Sequence, residues 1–244
     1  MNDVDFVIPV YNEEVGLFHS VESLVKFLIA NDQDINFTWR IVIVDNGSRD
    51  KTLSVANTLS SIFSSVNVIS LPEKGRGRAL KAAWINSDSK VLAYMDVDLS
   101  TSLFHIVDLI HSVFLDGFDC SIGSRLMPES YVSGRSFFRT ILSKGYVFLI
   151  KLLFRSKLSD FQCGFKALRS DIVRQLLPLV KDNFFFFDTE LLLIAEKNKL
   201  KIKEIPVKWN DDPDSRVDLP RTIFQDLCGL FRLRLNINYK KVSL

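Results

Sequence analysis

Two carboxylates placed two residues apart, directly after an apolar run, are a first group in the chain with a spacing suited to chemistry. Asp96-Val97-Asp98 follows Val91–Met95. Like charges at that range need a proton or a cation to share. A divalent ion that also bridges a diphosphate meets the need, and Mg²⁺ or Mn²⁺ suits oxygen ligands while keeping positions for substrate phosphates. A solvated strand end is the plain alternative. Tyr11-Asn12-Glu13 follows the apolar run Val4–Val10 in the same way. Asp45-Asn46-Gly47-Ser48-Arg49-Asp50 follows Arg40–Val44, and either offers acceptors to a base or ribose or makes a turn and helix cap. Lys74-Gly75-Arg76-Gly77-Arg78 is a basic, glycine-rich helix entry whose backbone amides can meet an anion; a solvated basic loop fits it equally.

Further along, Arg125, Arg135, Arg139 and Lys144 flank an aromatic stretch. Cations beside apolar side chains suit a lipid phosphate, its head in the cations and its tail on the aromatics; a basic surface helix is the alternative. Asp188 and Glu190 follow four phenylalanines, Phe184 to Phe187, and either caps a helix or serves as a general base for a hydroxyl acceptor. His19, His105 and His111 lack ligand spacing and read as structural, and no Ser/His/Asp or Cys/His nucleophile arrangement stands out.

The elements that must position these groups alternate strand and helix through the first half. Val4–Val10, Arg40–Val44, Val66–Leu71, Val91–Met95 and Cys120–Gly123 read as strands, with helical patterns between them. Such alternation predicts a parallel sheet with right-handed crossovers. Ligands of such sheets sit beyond the carboxyl ends of the strands, so the three polar clusters should converge. The glycine spacing excludes a phosphate-binding P-loop after Gly47 and a dinucleotide fingerprint after the first strand. In the second half Arg135–Arg155 alternates basic and apolar residues. Gly164–Arg169 and Ile202–Val207 suggest strands, Asp188–Lys199 a helix, and Leu219–Leu235 a terminal amphipathic helix beyond the polar loop 210–218.

Composition agrees with this frame. The 244 residues are 47% apolar and 25% charged, enough for one α/β domain with a full core, with or without an appendage. Lys+Arg (31) and Asp+Glu (29) nearly cancel to +2, which argues against a nucleic-acid partner. Three widely spaced cysteines, Cys120, Cys163 and Cys228, give no disulfide framework and favour a reducing compartment. The acidic opening predicts no signal peptide, and the apolar stretches fall short of the roughly 20 residues needed to span a bilayer. Twenty phenylalanines, concentrated in the second half, fit either core packing or an apolar surface that meets a membrane.

Val7-Ile8-Pro9-Val10-Tyr11-Asn12-Glu13-Glu14, Ile43-Val44-Asp45-Asn46-Gly47-Ser48-Arg49-Asp50, Gly75-Arg76-Gly77-Arg78-Ala79 and Met95-Asp96-Val97-Asp98 together resemble the family 2 glycosyltransferases of GT-A fold. Gly123-Ser124-Arg125, Arg135-Ser136-Phe137-Phe138-Arg139, Asp160 to Lys166, Phe187-Asp188-Thr189-Glu190-Leu191, Trp209 and Ser215-Arg216-Val217 resemble the dolichyl-phosphate β-glucosyltransferase branch. The resemblance implies an α/β fold with a mostly parallel central sheet flanked by helices, and amphipathic membrane-associating helices in the second half. Residues 1–218 would be the GT-A domain, with a nucleotide-sugar half to about 125 and an acceptor half from about 126; residues 219–244 would be a C-terminal amphipathic helix and tail.

The implied activity is inverting transfer of a hexose, first choice glucose from UDP-glucose, from a nucleotide sugar to a polyprenyl phosphate. It would be metal dependent and work at the cytosolic face of a membrane, with peripheral or monotopic attachment. By resemblance, Pro9, Tyr11, Glu13, Asp45, Lys74, Val97 and Arg216 join Asp96 and Asp98 around the nucleotide sugar. Asp96, Asp98 and Ser100 would hold Mg²⁺ or Mn²⁺. Arg125, Arg135 and Arg139 would bind the acceptor phosphate, with Arg125 and Arg139 joining the two aspartates in catalysis. Asn46 stands where an aspartate is common. Mannose from GDP-mannose, a sugar-hydroxyl acceptor, and a non-catalytic nucleotide-sugar-binding scaffold are the competing expectations.

Overall fold

The first apolar run forms β1 (Val4–Val10), buried along its length except at Pro9, where burial is partial. Near-continuous burial of this kind marks a strand covered on both faces. After β1 come α1 (Leu17–Ala30), the short α2 (Asp32–Ile35), β2 (Trp39–Asn46), α3 (Thr52–Ile62), β3 (Val66–Leu71), α4 (Arg76–Ile85), β4 (Val91–Met95), α5 (His105–Phe114) and β5 (Cys120–Ser124). The second half adds β6 (Tyr131–Ser133), α6 (Phe137–Phe154), β7 (Phe165–Arg169), α7 (Ser170–Leu176), α8 (Phe186–Lys197), β8 (Ile202–Pro206), β9 (Lys208–Asn210) and α9 (Leu219–Asn236). This computed structural model describes residues 2–211 and 219–237.

Seven strands form one sheet in the order β3-β2-β1-β4-β7-β5-β8. All neighbours pair in parallel except β7, which runs antiparallel to both β4 and β5. The reason lies in where β7 begins. Asp96 N–H donates to Gly164 O at 3.1 Å, so the chain reaches β7 beside the carboxyl end of β4 and must run back from there. Strand order reverses direction at β1: β2 lies on one side and β4 on the other. The crevice at such a switch point is where open α/β sheets bind ligands. Tyr11 follows β1 and Asp96 follows β4 at that crevice.

Apolar helix faces cover both sides of the sheet. Leu17, Val21, Leu24 and Leu28 of α1 join Ala56 and Leu59 of α3 and Ile106, Leu109 and Ile110 of α5 in one core layer. Ala79, Leu80 and Trp84 of α4, Ile172 and Val173 of α7, and Phe187 with Leu191 of α8 make the other, which continues to Ile150 of α6 and Leu230 and Leu233 of α9. Each fully buried side chain of this size contributes roughly 1.5–3 kcal/mol. The phenylalanine run divides accordingly: Phe186 and Phe187 are core, while Phe184 is exposed.

A second, two-stranded ribbon pairs β6 with β9 in parallel, Val132 opposite Trp209. It ties distant parts of the chain together. Asn210 N–H donates to Ser100 O and Asp211 N–H to Ser133 O, both at 2.9 Å, and Thr101 bridges to Trp209. The loop after β4 is thereby strapped to the segment that enters α6.

Candidate active site

A cavity of about 1080 Å³ opens at the carboxyl ends of β1 and β4. Pro9, Tyr11, Glu13, Lys74, Asp96, Val97, Asp98, Arg125, Arg135 and Arg139 all line it, so donor-side and acceptor-side candidates face one space. Asp45 is not among the lining residues. It is buried, and its Oδ1 accepts from Ser48 N–H at 3.3 Å, inside its own turn; the neighbouring Asn46 reaches the wall instead. Arg216 lies outside the described residues.

On the donor side the backbone turns sharply after β4. Leu99 adopts φ 50°, a left-handed conformation that costs a non-glycine residue roughly 1–2 kcal/mol. The turn lets Ser100 N–H donate to Asp98 Oδ1 at 2.9 Å and leaves Ser100 Oγ buried without a hydrogen-bond partner, in a pit shared with Asp96 and Asp98. Asp96 Oδ1 meets Arg76 Nη2 at 2.9 Å. Gly164 makes this approach possible, because a Cβ there would overlap both the Asp96 carboxylate and the Arg76 guanidinium. Carboxylates with an orphaned hydroxyl form an all-oxygen donor set, which fits Mg²⁺ or Mn²⁺. Among the described residues no third His, Cys, Asp or Glu completes a metal cluster, so phosphate and water oxygens would fill the remaining positions. Lys74 Nζ sits 3.9 Å from the centre of the Tyr11 ring, a cation–π contact at the mouth of the same crevice.

Beneath Asp96 lies a buried polar cluster. Lys166 Nζ donates to Asp188 Oδ1 at 2.8 Å and to the carbonyls of Phe161 and Cys163 at 3.1 and 2.7 Å. Tyr94 OH donates to Asp188, and Arg76 Nε stands 3.6 Å from Asp188 Oδ2. Burial pulls the Lys166 ammonium down and pushes the Asp188 carboxyl up. Glu190 is also turned inward, accepting from Lys181 N–H, Asp182 N–H and Arg232.

On the acceptor side the arginines differ. Arg125 Nε and Nη2 both bind Asp160, at 2.7 and 2.9 Å. Burial alone would raise Asp160, but the Arg125 charge and the hydrogen bonds it donates overcome that and hold the carboxyl at about 2. Arg139 Nη1 meets both Asp211 oxygens at 3.0 Å. Arg135 donates to Ser143, yet its Nε and Nη1 are buried without a hydrogen-bond partner among the described residues. Burial and the neighbouring Arg125 pull its pKa below the ordinary value. Arg125 and Arg135 both lie over the Trp209 ring, at 5.4 and 5.6 Å from its centre.

Residues 5–177 match the sequence profile of glycosyl transferase family 2. The chain belongs to this family. It is 34% identical to glycosyltransferase AglD of Haloferax volcanii over 91% of its own length, but spans only 35% of that protein. It is 32% identical to the dolichyl-phosphate beta-glucosyltransferase of Drosophila melanogaster, covering 88% of this chain and 69% of the relative. The Dictyostelium discoideum protein of that name is 29% identical over 93% of the chain and 72% of its own. The fold matches glucosyl-3-phosphoglycerate synthase from Mycobacterium tuberculosis in complex with uridine-diphosphate, with a TM-score of 0.71 at 18% identity over 96% of this chain and 80% of that one.

Within this family 2 fold, several groups that line the cavity or hold its side chains were not visible as such in the sequence. Arg76 belonged to a loop credited only with backbone amides. Asp160, Gln162, Trp209, Asp211 and Asp226 gave no signal as ligating or orienting groups, because each gains its meaning from a partner far away in sequence.

Proposed function

We propose that this family 2 glycosyltransferase moves a hexose, glucose from UDP-glucose first, onto a polyprenyl phosphate at a membrane surface, with inversion at the sugar carbon. The observation that carries the reading is the pairing of two sites in one cavity. Asp96 and Asp98 line it together with Arg135, whose Nε and Nη1 are buried without a hydrogen-bond partner among the described residues. A buried, unpartnered cation is costly unless an anion arrives. Helices α6 and α9 also bring Ile141, Leu142, Leu149, Ile223 and Leu227 to the lining, apolar surface of the kind a prenyl chain requires.

The chemistry follows from the charges. Asp96, Asp98 and the Ser100 hydroxyl would hold a divalent cation, which when bound offsets charge developing on the leaving diphosphate. Arg76 and Lys74 add positive charge on that side. The acceptor oxygen belongs to a phosphate monoester whose second pKa is about 6, so it is already anionic and no base need remove a proton. The bond from the sugar carbon to the diphosphate breaks as the bond to the lipid phosphate forms, and the nucleoside diphosphate leaves with the electron pair. Arg135 and Arg139 hold the second anion close enough to react, which is positioning against charge repulsion. Glu190 is turned away from the cavity, and Asp188, although it lines the cavity, is already engaged by Lys166, Tyr94 and Arg76; this supports a phosphate over a hydroxyl acceptor, which would need one of them as an uncommitted base.

Among the described residues no helix is long and apolar enough to cross a membrane. Attachment would instead be peripheral, on the cytosolic face. Phe137, Ile141, Phe148 and Leu152 form an exposed stripe on α6, and Phe224, Leu227, Phe231 and Leu235 another on α9. A screen of UDP- and GDP-hexoses with a short polyprenyl phosphate, with and without Mn²⁺, tests the proposal by mass spectrometry of the lipid. A hexosyl-phosphoryl lipid formed only with metal is expected; transfer to free sugars but never to the lipid overturns it.

A further inference from the structure

Asp226 sits on the inward face of α9 one turn before the core residue Leu230, only 4% exposed, and lines the same cavity. Its Oδ2 accepts from Gln162 Nε2 at 2.7 Å, while Oδ1 is buried with no hydrogen-bond partner among the described residues. An amphipathic helix has no packing reason to turn a carboxyl inward, and leaving one oxygen unsatisfied costs roughly 1–3 kcal/mol. Burial pushes this carboxyl up to about 7, the mark of a group short of partners.

The location of the pair is specific. Gln162 N–H donates to Asp160 Oδ1 at 3.0 Å, and Asp160 holds Arg125. Two residues on, Gly164 O accepts from Asp96 N–H. Gln162 is therefore held between the arginine side and the carboxylate side of the cavity, and Asp226 is held by Gln162. If a diphosphate lies at Asp96 and Asp98 and a second phosphate at Arg135, the group passed between them must lie along this segment.

We propose that Asp226 and Gln162 form the subsite that recognises the hydroxyls of the transferred hexose; this rests on the transfer reading above. A hexose presents adjacent hydroxyls that each donate and accept. Asp226 Oδ1 takes the proton of one, and the Gln162 amide, with one hydrogen and its carbonyl oxygen uncommitted to Asp226, meets its neighbour. A site built to hydrogen-bond a hydroxyl discriminates strongly against a sugar that cannot supply it in that position. Asp226 and Gln162 would thus set which epimer is accepted, while the nucleotide is gripped elsewhere.

Calorimetric titration with UDP, UDP-glucose and UDP-galactose, and with GDP and GDP-mannose, separates sugar from nucleotide. Asp226→Ala is expected to weaken binding of the preferred nucleotide hexose about tenfold while leaving the bare nucleoside diphosphate within twofold. Asp226→Asn keeps an acceptor for Gln162 and the shape of the helix face; it should fold like wild type, lose less affinity and discriminate epimers less. Equal losses for the nucleotide with and without its sugar, or no loss for either, overturn the assignment. Failure of the transfer reading looks different: wild type would make no hexosyl lipid although the sugar-dependent affinity persists and still responds to Asp226. If wild type binds neither nucleotide pair, both fall.

Discussion

The two walls of the cavity, the donor wall and the acceptor wall of the proposed reaction, are built on different principles. On the proposed donor wall the polar groups hang on adjacent strand ends: Tyr11 after β1, Asn46 at the end of β2, Asp96 and Asp98 after β4. Sheet register fixes their spacing, since β1 pairs in parallel with both β2 and β4. On the acceptor wall the groups are held by pairs remote in sequence. Arg125 finds Asp160 35 residues away, Gln162 finds Asp226 at 64, and Arg139 finds Asp211 at 72. One wall is a property of a sheet, the other of ion pairs and a short ribbon. The donor wall should therefore fail by loss of chemistry when a side chain is removed, and the acceptor wall by loss of geometry.

The sharpest test of the donor wall is Asp98→Ala. Its carboxylate accepts from Ser100 N–H within its own turn and lines the cavity rather than the hydrophobic core, so folding should survive. Removing a group that stabilises the leaving charge typically costs 10²–10³-fold or more. A loss of about a thousandfold in transfer is expected, measured as lipid product per minute with Mn²⁺, while the thermal midpoint moves little. Near-normal metal-dependent turnover would break the assignment of this wall.

This difference also explains what could be read from the sequence. Each donor cluster is contiguous and ends an apolar run, so its strand, its turn and its polar residues are visible together. The seven-stranded sheet was legible for the same reason, apart from the reversed direction of β7, which depends on where the chain returns from α6. The ribbon was not legible. β6 and β9 are three residues each and lie far apart in the chain, too short to show any period. Lys166 was equally opaque: a fully buried lysine makes sense only when Asp188, Tyr94 and two carbonyls are known to surround it. Asp188 and Glu190 looked like a base or a cap because the sequence cannot tell which way α8 rotates; both are buried, Glu190 away from the cavity and Asp188 at its wall beside Lys166.

Acid should break the acceptor wall first. Asp160 is fully enclosed and held at about 2, against about 3.9 for a free aspartate. Because its folded pKa is depressed, its contribution is complete above about pH 5 and is lost as pH falls through about 2 toward 1; nearly two units correspond to about 2–3 kcal/mol. Denaturation of wild type and Asp160→Asn should show the variant less stable at pH 7, with the gap narrowing by that amount between about pH 5 and 1. Parallel curves would show that Arg125 and Asp160 do not hold each other as described.

Arg139→Ala probes the same wall without unfolding it, since Arg139 and Asp211 keep partial access to water. The Michaelis constant for the polyprenyl phosphate should rise about tenfold, the loss of one charge-assisted contact, with nucleotide affinity unchanged. Equal losses in both would mean that the two walls are not separable.

The smallest effect should come from the rim that neither wall supplies. Phe137 and Phe138 are 81% and 64% exposed at the start of α6, next to the arginines and just past the Ser136 cap, whose hydroxyl accepts from Arg139 N–H. Large apolar side chains left in water at a helix entry contribute nothing to the fold, so Phe137→Ser with Phe138→Ser should leave the thermal midpoint unchanged. What they would lose is partition into the headgroup region, where each aromatic ring gains roughly 1–2 kcal/mol of burial. Cosedimentation with anionic vesicles should fall several-fold, and turnover with vesicle-borne acceptor should fall with it. Turnover with a short, detergent-dispersed acceptor should hold, because that substrate reaches Arg135 without a surface. If both substrates suffer alike, the phenylalanines belong to the acceptor wall itself, and the line between site and membrane face must be redrawn further along α6.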